Sequence, residues 1–169
     1  MASDHDQFMK VAIEEARNGI KAGDRPFGSA VIRDGKVVGR GRNLVASTLD
    51  PTAHAEVQAI RNAAANLKVA RLEGCTLYTS CEPCPMCCGA TFYAGIDTLV
   101  IGTRITTIDR LTKGLYSLRD YSVERLVELT GLPLRVVRDV MSEECDAMYR
   151  DWPGWTTYRM GEAAHGKGR

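Results

Sequence analysis

Apolar and polar residues recur with two different periods along the chain, and these periods predict helices and strands in turn. From Asp4 to Ala22 apolar residues return every three or four positions, which predicts a first helix. The pair Asp34-Gly35 lies between two apolar runs, a pattern typical of a hairpin turn. The flanking strands are predicted at Ser29–Arg33 and Lys36–Gly39.

The remainder of the chain alternates helix and strand. Asp50 and Pro51 are typical of a helix start, with Asp50 as the N-cap, and the apolar positions that follow continue this helix to Leu67. The other predicted elements are strand Cys75–Ser80, helix Pro83–Ala94, strand Thr98–Gly102, helix Val123–Leu129, strand Leu134–Val137 and helix Ser142–Trp152. A hairpin followed by alternating helices and strands predicts an α/β fold with three layers, α/β/α, and a five-stranded mixed sheet.

Length and composition indicate one globular domain, predicted over residues 1–160 with a Gly-rich tail at 161–169. The 169 residues are 44% hydrophobic and 25% charged. A net charge of +1 disfavours a nucleic-acid partner, and four arginines are expected on the solvated surface: Arg40, Arg42, Arg61 and Arg71. No apolar run approaches the roughly 20 residues that cross a membrane, and the polar start differs from a secretory signal. We therefore expect a cytoplasmic protein with no membrane contact.

Six cysteines suggest a metal site, because four of them fall within the eight residues from Cys81 to Cys88. A reducing compartment disfavours a disulfide framework. Outside the cluster, Cys75 and Cys145 are expected to pack as small apolar residues. His5 and His165 lie near the termini and are expected to be exposed to solvent. His54 is then the candidate imidazole ligand.

His54, Cys84 and Cys87 are the predicted metal ligands. Residues three apart on a helix share a face, so Cys84 and Cys87 can bind one ion. His54 and Glu56 are separated by about 200° around a helix and can both reach a metal only near an open first turn. Three protein ligands with a fourth position open are typical of catalytic zinc. Glu56 then remains as a carboxylate for general acid/base chemistry.

The spacing of the cysteines leaves other ligand sets open. Cys81 and Cys84 also form a C-x-x-C pair, and Cys88 adjoins Cys87, so a structural zinc with four cysteine ligands is an alternative. We favour Cys84 and Cys87 because Pro83 precedes them where the predicted helix begins. The alternative also leaves the nearby histidine and glutamate unexplained.

Four segments carry a resemblance to a known family: Pro26-Phe27-Gly28, Gly41-Arg42-Asn43, Asp50 to Glu56 and Thr79 to Cys87. With them the chain strongly resembles the cytidine deaminase superfamily of zinc enzymes, most closely its bacterial guanine deaminases and tRNA adenosine deaminases. The resemblance implies one Zn²⁺ per subunit and a homodimer. It implies a hydrolysis in which zinc-activated water attacks the amino-bearing ring carbon and ammonia leaves. It also implies that Asn43, Phe27 and the backbone N–H of Ala55 bind the substrate.

A free nucleobase or related small heterocycle is the expected substrate, with guanine as the first candidate and cytosine or another base or nucleoside also open. The run Cys84-Pro85-Met86-Cys87 matches guanine deaminases more closely than the tRNA enzymes. Two segments depart from the guanine deaminase pattern: Asp24-Arg25 replaces Gly-Gly, and Gly114–Ser117 replaces a run that supplies a guanine-recognising acid. Asp109 and Asp120 are candidate substitutes for that acid.

Two alternatives to this function remain. A tRNA-editing adenosine deaminase is one, although the C-terminal segment lacks the basic helix in which the tRNA enzymes tend to end. A zinc-stabilised binding protein without turnover is the other. Trp152 and Trp155, near the C-terminus, either pack in the core or form an aromatic lid over a flat substrate.

Overall fold

A five-stranded mixed sheet between two layers of helices forms the protein, as the sequence predicts. The computed structural model describes residues 4–156. Its helices are α1 (Asp4–Lys21), α2 (Val45–Thr48), α3 (Ala55–Leu67), α4 (Pro85–Ala94), α5 (Ile105–Leu111), α6 (Val123–Thr130) and α7 (Ser142–Arg150), followed by a 3-10 helix at Pro153–Thr156. Its strands are β1 (Gly28–Arg33), β2 (Lys36–Arg42), β3 (Cys75–Cys81), β4 (Thr98–Thr103) and β5 (Arg135–Val137).

The strand order is β2-β1-β3-β4-β5. Strand β1 is antiparallel to both of its neighbours, whereas β3, β4 and β5 are parallel. The register places Cys81 opposite Thr103, so the segments that follow β3 and β4 leave the sheet side by side. The carboxyl ends of parallel strands are where open α/β sheets bind ligands.

Each face of the sheet has its own apolar core. On one face α1, α5 and α7 contribute buried residues such as Ile13, Ile108 and Tyr149. On the other face α3, α4 and α6 contribute Ala63, Cys88 and others. The two cores establish the three layers. No helix within residues 4–156 is long and apolar enough to cross a membrane.

Two glycines in β2 allow α3 to lie directly on the strand. A Cβ atom added to Gly41 would be 2.2 Å from the Ala55 carbonyl oxygen, and one added to Gly39 would be 2.4 Å from the Ala59 carbonyl oxygen. No side chain fits at such distances. The position of α3, including its first residue, therefore requires that neither of these two sites carries a side chain.

The predicted starts of two helices were wrong by a few residues. The carboxylate of Asp50 accepts hydrogen bonds from the backbone N–H and hydroxyl of Thr52, at 2.8 and 2.7 Å, so it closes a local turn and does not cap a helix. Helix α3 begins at Ala55, with His54 at the N-cap. Helix α4 likewise begins at Pro85 instead of Pro83.

Helices α2 and α5 are absent from the prediction. Helix α5 begins with β-branched residues, which carry a weak helical signal. Its first N–H, that of Ile105, donates to Oε2 of Glu82 at 3.0 Å. A partner 23 residues away in sequence thus stabilises the start of this helix, and no local pattern reports it. Strand β2 also continues to Arg42, beyond its predicted end at Gly39.

Two predictions of exposed side chains were wrong. His5 is half-buried, and its Nδ1 lies 2.8 Å from the hydroxyl of Tyr78. Arg42 is also half-buried, with a buried Nε atom. Arg40 is 46% exposed and pairs with Glu14 at 2.8 Å, as a surface residue would.

Other predictions about single residues stand or lie beyond the described chain. Arg61 and Arg71 are exposed. Cys75 and Cys145 are buried free thiols in the two cores, as predicted. His165 and the tail at 161–169 lie outside the described residues.

Candidate active site

Two helix starts meet at the carboxyl end of β3. His54 is the N-cap of α3 and Cys84 is the N-cap of α4, with Cys87 in the first turn of α4. Nδ1 of His54 lies 3.6 Å from Sγ of Cys84 and 3.4 Å from Sγ of Cys87, and the two sulfurs are 3.6 Å apart. Three potential ligand atoms thus form a nearly equilateral triangle.

The triangle has the dimensions of a tetrahedral zinc site. With Zn–S bonds near 2.3 Å and a Zn–N bond near 2.0 Å, tetrahedral geometry separates two sulfurs by about 3.8 Å and a sulfur from a nitrogen by about 3.5 Å. Within residues 4–156, His54, Cys84 and Cys87 form a group of metal-binding side chains whose ligand atoms all lie within 4.8 Å of one another. Cys81 is outside it, with its thiol donating to the Glu82 carbonyl at 3.4 Å. These residues fit zinc.

The two thiols of the triangle differ in acidity before metal binds. A hydrogen bond from Cys87 outweighs burial and lowers the pKa of Cys84 to about 4. The same bond, together with burial, raises the pKa of Cys87 well above its ordinary value. Burial lowers the pKa of His54, but the Cys84 sulfur and the Glu56 charge outweigh it and raise that pKa overall. The pair therefore carries a thiolate that can attract a cation.

Glu56 is the second residue of α3 and lies beside the triangle. Its side chain is buried and interacts with Cys87. Burial, followed by the charge of Cys84, raises the pKa of Glu56 to about 7. A carboxyl group with such a pKa can both accept and donate a proton near neutrality.

Asn43 and Phe27 are held together at the ends of β1 and β2. The backbone N–H of Asn43 donates to the Phe27 carbonyl at 3.0 Å, and the next N–H, of Leu44, donates to the Ala53 carbonyl at 2.9 Å. The Oδ1 of Asn43 accepts from the Val45 N–H at 3.1 Å. Since this oxygen faces a donor, the orientation of the amide is fixed and its amino group is the end left for a further acceptor.

The backbone N–H of Ala55 is the first of α3. The first four N–H groups of a helix have no acceptor within that helix, and the His54 side chain makes no capping hydrogen bond. An acceptor placed between the two helix starts can therefore bind there, where the positive end of the helix dipole also lies.

An aromatic cluster surrounds Phe27, which is itself half-buried. Its ring centroid is 5.5 Å from that of Tyr149 and 5.8 Å from that of Tyr116. Trp155 is buried against Tyr116, with its indole N–H bonded to the Tyr149 carbonyl, and Trp152 packs edge-on against it. Of the two roles considered for the tryptophans, these contacts favour packing in the core.

Residues 2–103 match the sequence model of the cytidine and deoxycytidylate deaminase zinc-binding region. This stretch is more than half of the chain and includes both helix starts. The chain belongs to the cytidine and deoxycytidylate deaminase family. Family membership confirms the resemblance seen in the sequence, and with the triangle it confirms zinc as the cofactor.

Relatives of this deaminase-family chain act on different substrates. It is 50% identical to the guanine deaminase of Bacillus subtilis over 91 residues, which are 53% of this chain and 58% of that protein. It is 32% identical to a tRNA-specific adenosine deaminase of Aquifex aeolicus over 140 residues, which are 80% of this chain and 90% of that protein. A solved structure of guanine deaminase from Nitrosomonas europaea superposes with a TM-score of 0.76 at 25% identity, covering 90% of this chain and 85% of that one.

The two candidate guanine-recognising acids lie in different settings. Asp109 is half-buried, and its Oδ2 accepts from the Ser117 hydroxyl at 3.2 Å. Asp120 is exposed, and its backbone carbonyl is 3.5 Å from the Arg125 guanidinium. Neither carboxylate belongs to the group formed by His54, Cys84 and Cys87.

Sequence reasoning missed two residues that hold the loop before α4. Glu82 is almost fully buried, and its carboxylate binds backbone and side-chain donors from two other segments. The Tyr121 hydroxyl donates to the Pro83 carbonyl at 2.7 Å. The available signal was the position of this glutamate, between an apolar strand and Pro83-Cys84, where its side chain is expected to be buried. A buried carboxylate requires hydrogen-bond partners, so a structural role was to be expected. The sequence does not say which partners these are.

Proposed function

We propose that the chain is a zinc-dependent hydrolytic deaminase of a free nucleobase, with guanine as the first candidate. The observation that carries the proposal is the triangle of His54, Cys84 and Cys87 at zinc-binding distances with buried Glu56 beside it. In the reaction water adds to the amino-bearing ring carbon, the C–N bond breaks, and the products are a ring carbonyl and ammonia.

Each residue of the site has a distinct part in this scheme. Zinc, when bound, supplies the Lewis acidity that brings the pKa of a water molecule to about 7. Glu56 accepts the proton that this water loses and returns it to the departing amino group. Because one group serves in both directions, a buried carboxyl beside the triangle suits the task.

The proposed substrate contacts surround the same point. The Asn43 amino group donates to an acceptor on the base, and the Ala55 N–H donates to a second one. Phe27 offers the face of its ring for stacking, with Tyr116 and Tyr149 behind it. These contacts recognise a flat heterocycle with hydrogen-bond acceptors on its edge, and guanine has this chemistry.

Relatives of two kinds support two candidate substrates. The local identity of 50% to a guanine deaminase and the net charge of +1 favour a free base. The longer match to tRNA-specific adenosine deaminases supports tRNA as the second candidate. A tRNA enzyme would bind its substrate through phosphates, so its affinity would fall steeply as salt is raised.

A substrate panel tests the proposal. Zinc-loaded protein is assayed for ammonia release from guanine, cytosine, adenine, their nucleosides and tRNA, and Glu56→Gln is assayed beside it. We expect release from guanine, with a loss of at least about 10²-fold in Glu56→Gln at unchanged zinc content. Release from tRNA alone would select the second candidate. No release from any substrate would instead support a zinc-stabilised protein without activity. Equal turnover by Glu56→Gln would contradict the proton-transfer role of Glu56.

A homodimer is part of the same proposal. From Pro85 to Ile96 the chain carries no charge, yet Tyr93 is 88% exposed and Met86 is 38% exposed on the outer face of α4. A cavity of about 870 Å³ adjoins this face, between α4 and residues 126–133, and Arg71, Glu73 and Asp97 also line it. An uncharged face of this kind can pair with its own copy about a two-fold axis. Sedimentation should show a dimer for the wild type and a monomer for Tyr93→Lys.

The cytoplasmic location stays a prediction.

A further inference from the structure

Glu82 lies at a junction of three segments, although the proposed chemistry gives it no part. It follows Cys81, the last residue of β3, and precedes Pro83 and Cys84. Its side chain is 1% exposed. Oε1 accepts from the Val123 N–H at 2.9 Å, and Oε2 accepts from the Ile105 N–H and from Nε of Arg104, each at 3.0 Å.

The partners of Glu82 are the two ends of one excursion of the chain. Ile105 is the first residue of α5 and Val123 is the first residue of α6. Residues 105–123 therefore contact, at both ends, the loop of residues 82–84 that carries Cys84, here called the zinc loop. Arg104 extends the junction by a two-pronged ion pair with Glu124, at 2.7 and 2.8 Å. A second contact fastens the excursion to the loop without the Glu82 carboxylate, because the Tyr121 hydroxyl donates a hydrogen bond to the Pro83 carbonyl.

The middle of the same excursion contacts the aromatic cluster of Phe27, Tyr116 and Tyr149, here called the Phe27 wall. Tyr116 is buried, and its ring lies 5.8 Å from that of Phe27. One segment therefore touches the zinc loop at both ends and the proposed stacking residue in between.

We propose that Glu82 is a positioning residue, whose carboxylate fastens both ends of the 105–123 excursion to the loop that carries Cys84 and so sets the spacing between the zinc site and the Phe27 wall. The effect on substrate rests on the function proposed above. The fastening does not, because it concerns only the metal loop and its neighbours.

Replacement by glutamine tests the carboxylate without changing its shape. The amide can accept through one oxygen only, so its amino group must face a backbone N–H or the Arg104 guanidinium. A buried donor then loses its acceptor, and one end of the excursion is released. Arg104 also loses its charge partner on this side.

Cobalt substitution reads the geometry directly. The full-length protein is loaded with Co²⁺, and its d–d and thiolate charge-transfer bands and its Co²⁺ affinity are measured. In Glu82→Gln we expect altered bands and an affinity about tenfold weaker. Tyr121→Phe, which removes the second fastening, should change both in the same direction to a smaller extent, and it serves if Glu82→Gln does not fold.

Two controls separate positioning from general loss of stability. Ile13→Val removes one methyl group from the core that α1 shares with α5 and α7, without changing a partner of Glu82 or Tyr121. Glu124→Gln removes the outer ion pair while both backbone bonds of Glu82 remain. Both should keep the wild-type bands. With guanine as substrate, Glu82→Gln should raise KM more than it lowers kcat, which a merely destabilised variant would not do.

The outcomes are distinguishable. If Glu82→Gln and Tyr121→Phe keep the bands and affinity of Ile13→Val, the positioning role is wrong. If wild-type protein deaminates no base, the proposed function fails, and the cobalt bands still decide whether the carboxylate fastens the loop.

Discussion

Gly41→Ala is the sharpest test of how the fold places the metal ligands. A Cβ at this position would be 2.2 Å from the Ala55 carbonyl oxygen and 2.3 Å from the Ala59 nitrogen, whereas ordinary contact begins at 3.4 Å. Both neighbours are backbone atoms, so no side chain can rotate away. Strand β2 and the start of α3 must separate by about 1.2 Å to accept the methyl group.

The displacement acts on the zinc triangle because Ala55 directly follows His54. The three ligand atoms are only 3.4 to 3.6 Å apart, so a shift near 1 Å is a third of each side. A misplacement of about 1 Å can reduce turnover by about 10²-fold. Overpacking of a core contact costs about 1–3 kcal/mol of unfolding free energy. We therefore expect a protein that still folds but binds zinc more weakly and turns over slowly.

Gly39→Ala is the matched comparison. Its Cβ would meet the Ala59 carbonyl oxygen at 2.4 Å and the Ala63 nitrogen at 2.7 Å, further along the same helix. It should lose a similar unfolding free energy in urea with a smaller loss of zinc affinity, measured by competition with a chromogenic chelator. If the two variants lose zinc affinity equally, or if Gly41→Ala binds zinc and turns over like wild type, the close contact does not position His54.

Three further changes have defined outcomes. Removing zinc with a chelator should lower the melting temperature by about 5–10 °C in calorimetry, and an unchanged value would contradict binding at the triangle. The hydrogen bond from Arg104 lowers the pKa of Glu124. Their pair therefore stabilises the fold above the ordinary glutamate pKa, and that stability is lost as the pH falls through the lowered value. Since Glu124 is partly exposed, the advantage of wild type over Glu124→Gln in urea should be below about 1 kcal/mol at neutral pH and vanish in acid, and a constant difference would refute the pairing. Tyr149→Phe removes a buried hydroxyl 2.7 Å from Ser80 Oγ, which should cost about 1 kcal/mol in the same assay, and an unchanged midpoint would contradict this bond.

Most of the fold could be predicted from sequence because most of its elements have a local signal. The Asp34-Gly35 turn and the alternation of helix and strand are properties of neighbouring residues. Helix α5 has no such signal, since Glu82 binds its first N–H from a distant position. The prediction failed at this helix because a long-range hydrogen bond, and not local periodicity, determines where it begins.

The grouping of His54, Cys84 and Cys87 was predictable for a different reason. Histidine and two cysteines beside helix starts have a chemistry that few other arrangements explain, so residue type alone restricts the choice. The substrate side has no such restriction. Asn43 and Phe27 meet through one backbone hydrogen bond, and Tyr116 reaches Phe27 from a segment that the motifs do not include.

The corrected start of α3 changes the chemistry and not only a boundary. In a helix from Asp50, His54 and Glu56 would both be helical and would point about 200° apart. As the N-cap, His54 has extended backbone angles, φ −72° and ψ 154°, and Cys84 has a matching φ of −68° and ψ of 168°. An extended residue turns its side chain across the end of its helix, so each N-cap can aim a ligand at the gap between the two helices. Glu56, the second residue of α3, then lies beside that gap without occupying it. The positive ends of both helices also face the gap and favour thiolates there. The H-x-E spacing is therefore explained by a helix that begins between its two members.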